Sequence, residues 1–137
     1  MQLAAALLCD AANVRERMIS ILSGGITRIR RPSYPAPLNA QLALVVELHQ
    51  TEIGHRHEVG VLVQGQDGQQ VATAQAAFDA TGDVSPGETI LVPIVVGLGG
   101  AMLPGPGPYS IEVTLDGMHH RTIPFRVMEP PEASGAA

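Results

Sequence analysis

The chain has 137 residues, a formal net charge of −5 and a single cysteine, Cys9. This length is enough for one domain with its own core, and one cysteine excludes an internal disulfide. The negative charge and an aromatic content of only 3% disfavour nucleic-acid binding and sugar-binding platforms, and no stretch is long enough to span a membrane.

Residues 3–9 form the first predicted element, a buried strand with Cys9 in the core. No basic residue precedes this short apolar run, and Leu8 occupies the position where lipoprotein signals carry a small residue. The segment therefore does not read as a signal peptide. Without a signal or a disulfide, the protein is expected in the reducing cytoplasm.

Residues 11–23 satisfy both the helical and the strand period. Asn13 and Glu16 have the spacing of a capping box, which favours a helix. The alternative is an isoleucine-rich strand that ends before a Gly-Gly pair. We expect a turn or helical turn over residues 11–17 and a strand over residues 18–23, and the choice between helix and strand stays open.

Residues 40–49 show the clearest strand pattern, with Leu42, Leu44, Val46 and Leu48 on one face. The next two strands, 57–65 and 69–78, flank Asp67-Gly68. A two-residue type I′ loop is predicted there, because it gives one apolar face. The expected pairs are His57 with Phe78, Val59 with Ala76, Val61 with Ala74 and Val63 with Ala72.

Residues 88–96 are apolar on both faces, which predicts burial on both sides or contact with another chain. Pro93 cannot donate to a ladder, so it should face a sheet edge or a bulge. A glycine- and proline-rich loop follows over residues 97–108.

The last hairpin joins residues 107–117 to 121–127. A simple two-residue loop would place polar groups on the core face. A three-residue loop, Leu115–Gly117, keeps the faces consistent. It would pair Tyr109 with Ile123 and Glu112 with His120.

These elements predict an all-β fold, an immunoglobulin-like antiparallel β-sandwich of about 8–9 strands with at most one short helical turn. A Cys…Trp…Cys core is lacking, so a true immunoglobulin domain is not expected. Residues 1–128 are expected to form the single domain, and residues 129–137 a disordered acidic tail.

Several motifs resemble those of a group of small, uncharacterised bacterial β-sandwich proteins. They are the opening Leu-Leu-Cys-Asp-Ala-Ala, the segment Ile-Leu-Ser-Gly-Gly, the connection Arg-Pro-x-x-Pro and the closing Gly-x-Tyr…Asp-Gly…Pro-Phe-x-Val. The resemblance covers residues 3–127. It implies no assigned activity or catalytic residues, and the Ala/Gly/Pro/Arg-rich composition suggests an actinobacterium.

Motifs for catalysis are missing from the sequence. Gly-x-Ser-x-Gly does not occur, and the glycine-rich segment 97–100 lacks the lysine and the helix of a phosphate loop. We therefore expect no enzyme activity and no cofactor. His55 and His57 share one strand face, and a small-ligand or metal-binding module built on them is the alternative function.

Two sets of residues are candidates for protein contacts. Strand 26–30 and the residue after it carry Arg28, Arg30 and Arg31, which could bind an acidic protein. The second set consists of Ile90, Val92 and Ile94, which belong to the apolar strand 88–96. We predict a protein-interaction or assembly module that either self-associates as a homo-oligomer or serves as an accessory subunit, without nucleic-acid or membrane partners.

Overall fold

The computed structural model of the chain describes residues 1–131, and these form eleven strands and one 3₁₀ turn at Gln50–Glu52. The all-β class is confirmed. None of the helical structure in this range could cross a membrane. The strands are β1 (Gln2–Arg15), β2 (Met18–Gly24), β3 (Arg28–Arg30), β4 (Ala36–Pro37), β5 (Gln41–His49), β6 (Arg56–Gly65), β7 (Gln70–Asp79), β8 (Thr89–Gly97), β9 (Met102–Leu103), β10 (Gly107–Leu115) and β11 (Met118–Met128).

Two sheets carry most of these strands. Sheet A has the order β2-β1-β5-β8, sheet B has the order β3-β11-β10-β6-β7, and β4 pairs with β9. Neighbouring strands are antiparallel, except that β3 runs parallel to β11. Buried side chains from both sheets form one cluster, so the core lies between two layers. The immunoglobulin-like topology stays a prediction, as does the single-domain boundary at residue 128.

The core follows from the alternation of apolar residues. The four predicted side chains of β5, from Leu42 to Leu48, are completely buried. From sheet B, Ile111 and Val113 are equally buried in the same cluster. Because successive side chains of a strand point to opposite faces, this pattern fixes which side of each sheet faces the core.

The β10–β11 hairpin differs from its prediction. Its loop has two residues, Asp116 and Gly117, whose φ angles of 48° and 82° are those of a type I′ turn. The predicted pairs are wrong, because Tyr109 lies opposite Phe125 and Glu112 opposite Thr122. A bulge at His120, opposite the Val113–Thr114 step, supplies the extra residue that we had placed in the loop. Either insertion restores the alternation, and the bulge leaves the tight turn intact.

The β6–β7 hairpin has all four predicted pairs, from His57–Phe78 to Val63–Ala72. Its predicted type I′ turn is wrong, because only Gly68 in the loop has a positive φ, of 73°. The Gly65 N–H donates to the Gln69 carbonyl, which closes a three-residue loop, and the register shifts by one residue before Gln64. The shift compensates for the longer loop, so the core face is preserved.

The helical turn predicted for residues 11–17 is also wrong. Strand β1 continues to Arg15, and Glu16 and Arg17 form a tight turn with φ angles of 54° and 62°. The strand predicted over residues 18–23 is confirmed as β2. Pairing of β1 with β2 satisfies the backbone along the hairpin, and this outweighs the capping-box signal.

The remaining elements agree in part with their predictions. Among the described strands, β8 pairs with β5 alone, so Pro93 lies on a sheet edge as predicted. The strand predicted over 26–30 is shorter, Arg28–Arg30. Residues 129–131 have no regular structure, and the rest of the predicted tail, 132–137, lies outside the described residues.

Candidate interaction surfaces

An apolar surface lies outside the core on the side of sheet A. Among residues 1–131, eight large hydrophobic side chains are exposed, and six of them belong to β1, β2 and β8. The most exposed of the six are Met18 (64%), Leu22 (61%) and Leu91 (58%). Clustered apolar exposure of this kind marks a contact surface more often than scattered single residues do.

Much of this surface belongs to residues 10–24, which we call the hairpin arm. Three strand spacings separate β2 from β8 in sheet A, which is about 14 Å in a flat sheet. Strand β2 nevertheless approaches β8 closely. At the tip of the arm, Arg17 lines a cavity of about 210 Å³ together with Asp79, Leu91 and Pro93. The arm therefore folds back over the outer side of sheet A toward β8.

A second apolar layer lies between the arm and sheet A. Cys9 and Ala43 are 0% and 2% exposed, yet they do not belong to the core cluster. The Cys9 thiol donates to the Gln41 carbonyl at 3.3 Å, and the Gln41 side chain accepts from the Ala12 N–H at 2.6 Å. Burial, together with the charge of Asp10, raises the pKa of the Cys9 thiol. The predicted burial of Cys9 is confirmed, outside the core between the sheets.

The predicted contact residues of β8 face inward. Ile90, Val92 and Ile94 are half-buried and pack against the core cluster. They lie opposite Leu48, Val46 and Leu44. The other side of the strand carries Leu91, which is exposed, and Pro93 and Val95, which are half-buried.

Arginines gather at one corner of sheet B. Ile29 and Val127 point into the core, so their neighbours Arg28, Arg30 and Arg126 face outward. Arg126 lies directly beside Arg28 in the parallel β3–β11 pair. We call Arg28, Arg30 and Arg126 the arginine corner. Within the described residues, none of the three forms an ion pair or a side-chain hydrogen bond.

Arg31 has a different role from the arginines beside it. Its guanidinium donates to three carbonyl oxygens, those of Leu38 at 2.6 Å and of Pro37 and Arg30 at 3.2 Å. Leu38 itself is fully buried. Arg31 therefore fastens the segment before β5 to the end of β3, and the structure does not bring it into the arginine corner.

His57 is the centre of a buried polar network. The residue is only 6% exposed, and its two ring nitrogens contact the Asp116 carboxylate at 2.8 Å and the Glu52 carbonyl at 2.7 Å. Both partners accept hydrogen bonds, so both ring nitrogens must donate, and the ring is an imidazolium. Asp116 also accepts from the Glu58 N–H at 2.8 Å. The network ties the β10–β11 turn to β6 and to the 3₁₀ turn.

The network predicts a pH dependence of stability. Burial lowers the pKa of His57, but the hydrogen bonds to Glu52 and Asp116 and their charges outweigh it, so the pKa lies above its usual 6.5. Burial raises the pKa of Asp116, but the bonds from His57 and Glu58 outweigh it, so it lies below its usual 3.8. The His57 contribution is complete below pH 6.5 and is lost as the pH rises through the raised pKa. The Asp116 contribution is complete above pH 3.8 and is lost as the pH falls through the lowered pKa.

Urea unfolding across the pH range checks this expectation. The network should contribute most between pH 3.8 and 6.5. A free energy of unfolding that rises steadily as the pH increases above 6.5 would contradict the imidazolium assignment.

The other histidines do not gather at one site. His49 accepts from the Thr51 N–H at the start of the 3₁₀ turn, and His119 contacts Glu112 at 2.6 Å. His55 and His120 are exposed. In residues 1–131 no three His, Cys, Asp or Glu side chains come close enough to hold a metal ion. His57 donates from both nitrogens and so offers a metal no lone pair in this arrangement; the metal-binding alternative stays a prediction.

A shallow hollow of about 490 Å³ lies on the outer side of sheet B. Gly60 forms its floor, and a Cβ there would lie only 2.4 Å from the Thr114 Oγ1. Glu112 lines the hollow, and its carboxylate accepts hydrogen bonds from Thr122, Ser110 and His119. The bond from Thr122 contributes most to lowering the pKa of Glu112. Glu112 is the one ionisable side chain among the described residues that line this hollow.

A comparison with known families agrees with the resemblance seen in the sequence. Residues 4–128 match the Family of unknown function (DUF6941). The chain belongs to this family. The DUF6941 match spans β1 to β11 and thus both sheets. No curated protein matches the sequence, and the actinobacterial origin stays a prediction.

Sequence reasoning missed several residues that matter in this DUF6941 structure. The sequence predicts a strand that contains Met18 and Leu22. The pattern of a single strand does not show whether other parts of the chain will cover its side chains. Arg126 joins Arg28 only through a parallel pairing between residues almost 100 positions apart (126 − 28 = 98). The alternating pattern around Ile29 and Val127 could have placed these arginines outward, but no local signal could have placed them side by side.

Proposed function

We propose that this chain is a protein-interaction module that assembles with a second copy of itself through the hairpin arm and the outer side of sheet A. The observation that carries the proposal is the outer edge of β2, with which no other strand pairs within residues 1–131. Its sequence, Met-Ile-Ser-Ile-Leu-Ser-Gly, contains neither a charge nor a proline, and the side chains of Met18, Ile21 and Leu22 are exposed. Such an edge invites pairing with another strand.

The other described edges of the two large sheets differ from that of β2: two carry proline or charge, and the exposed side chains of β7 are small or polar. Strand β8 has Pro93, and β3 is three residues long with two arginines. Strand β7 carries mainly alanine, threonine and glutamine, and ends at Asp79. Because natural sheets blunt their edges with proline, charge or short strands, the bare apolar edge of β2 is best explained by a partner that covers it.

A second copy of the chain suits this edge well. An uncharged apolar strand can pair with itself antiparallel about a two-fold axis, without placing like charges opposite each other. The apolar residues Leu7 and Leu91 continue the surface next to the arm, so the contact can extend from the strand edge onto the sheet. The proposal includes a cytoplasmic location and no catalytic step.

Lysine substitutions on the arm test the proposal. Met18→Lys and Leu22→Lys change side chains that are more than 60% exposed, so the fold of the single chain should tolerate them. Burying two unpaired ammonium groups in the interface should weaken self-association by at least about 100-fold. Sedimentation equilibrium of the double variant measures this.

Met118→Lys is the matched control, because Met118 is 70% exposed but lies at the β10–β11 turn. It should associate as the wild type does. The proposal fails if the arm variant keeps the wild-type association, or if the control weakens it as strongly.

A further inference from the structure

We propose that the arginine corner binds an extended acidic protein segment whose carboxylates occupy alternate positions along its chain. This surface lies on sheet B, so the proposal does not depend on assembly through the hairpin arm. It rests on the placement of Arg28, Arg30 and Arg126, on the absence of an ion pair to any of them within residues 1–131, and on the open edge of β3.

The placement creates a compact cationic surface. Arg28 and Arg30 are two residues apart on one strand, which separates their Cα atoms by about 6.6 Å. Arg126 is the lateral neighbour of Arg28 on the next strand. Three outward-facing guanidinium groups therefore share a small area in a chain with a formal net charge of −5 and only eight lysine and arginine residues.

The fold accounts for only part of this arrangement. Like charges on adjacent strands destabilise a sheet, and no described residue forms an ion pair with the three arginines. Glu129 lines the same small hollow as Arg126 but does not pair with it. Charge can protect a sheet edge, and that would account for Arg28 and Arg30. It does not account for Arg126, because β11 is paired on both sides.

The geometry favours an acidic segment over other anions. Strand β3 ends sheet B, so an extended segment can lie along its open side. Carboxylates two residues apart on such a segment have the same spacing as Arg28 and Arg30. Guanidinium groups hold carboxylates by paired hydrogen bonds. Nucleic acid is disfavoured by the overall negative charge and the scarcity of aromatic residues.

A synthetic peptide of alternating threonine and glutamate tests the proposal, with the threonine–glutamine peptide as its control. Fluorescence anisotropy at low salt should show binding of the glutamate peptide alone, weakening as salt is added. Arg28→Gln and Arg126→Gln should each weaken binding at least about threefold. Arg56→Gln removes an exposed arginine at the far end of β6 and should leave binding unchanged.

Thermal unfolding separates binding from folding. Because the substitutions remove a like-charge contact, Arg28→Gln and Arg126→Gln should not lower the melting temperature. The proposal is overturned if the glutamine peptide binds equally well, if the Arg126 variant binds as the wild type does, or if inorganic phosphate displaces the peptide at equal concentration. The last result would identify a phosphate site instead.

Discussion

Replacing His57 with alanine is expected to lower the free energy of unfolding by about 3 kcal/mol at about pH 6. The substitution opens a cavity beside Phe78, whose ring lies 5.6 Å from the imidazole. It also removes the donors to the Asp116 carboxylate and to the Glu52 carbonyl. Urea titration followed by far-ultraviolet circular dichroism measures the loss.

Two further variants separate the contributions to this loss. His55→Ala changes an exposed histidine two residues away and should alter stability by less than about 0.5 kcal/mol. Asp116→Asn keeps a residue that tolerates the positive φ of the turn but removes the charge that favours the imidazolium. Asp116→Asn should therefore weaken the pH dependence of the free energy of unfolding and leave the conformation of the turn intact. Equal losses for His55→Ala and His57→Ala would contradict the network.

Arg31→Met should lower the free energy of unfolding by about 2 kcal/mol, because the guanidinium satisfies the carbonyls of Pro37 and Leu38. Methionine keeps much of the apolar stem, so the loss reports the hydrogen bonds. Arg28→Met is the matched control, since the Arg28 side chain is exposed and unpaired among the described residues. Chemical unfolding of the two variants measures the difference, and similar losses from both would refute the separate role of Arg31.

The features that follow from the alternation of apolar and polar residues along a strand were predicted correctly. Leu42 to Leu48 and the four pairs of the β6–β7 hairpin were correct, because the side-chain period of two dictates which residues face the core. Loop lengths were wrong in both hairpins, because a bulge in the strand and an extra loop residue restore the same faces. Register therefore follows from hydrophobic pattern, while the position of an inserted residue depends on local turn geometry.

Long-range placement explains the remaining differences. The return of the hairpin arm over sheet A depends on the bend of β1 beyond Cys9, for which the sequence carries no periodic signal. The partnership of His57 with Asp116 joins residues on different hairpins, and it requires the tight Asp116-Gly117 turn that the predicted three-residue loop lacked. The prediction that His57 lies on a strand is correct, whereas Asn13 and Arg15 were predicted in a turn and lie in β1. The partners of polar residues emerged only from the packing of the strands.

The two proposed surfaces lie on the outer sides of different sheets. Assembly through the hairpin arm would cover sheet A and leave the arginine corner on sheet B open. A dimer built in this way would present two arginine corners. A partner with two acidic segments would bind it more tightly than a partner with one, because binding of the first segment holds the second at a high local concentration.

The most direct test of self-assembly is the mass of the wild-type protein in solution, measured by sedimentation equilibrium from micromolar to millimolar concentration. The structure predicts a shift from the 14.3 kDa monomer toward twice that mass as concentration rises. A mass that stays at 14.3 kDa up to millimolar concentration would contradict the account, because the bare edge of β2 would then remain uncovered in the isolated protein.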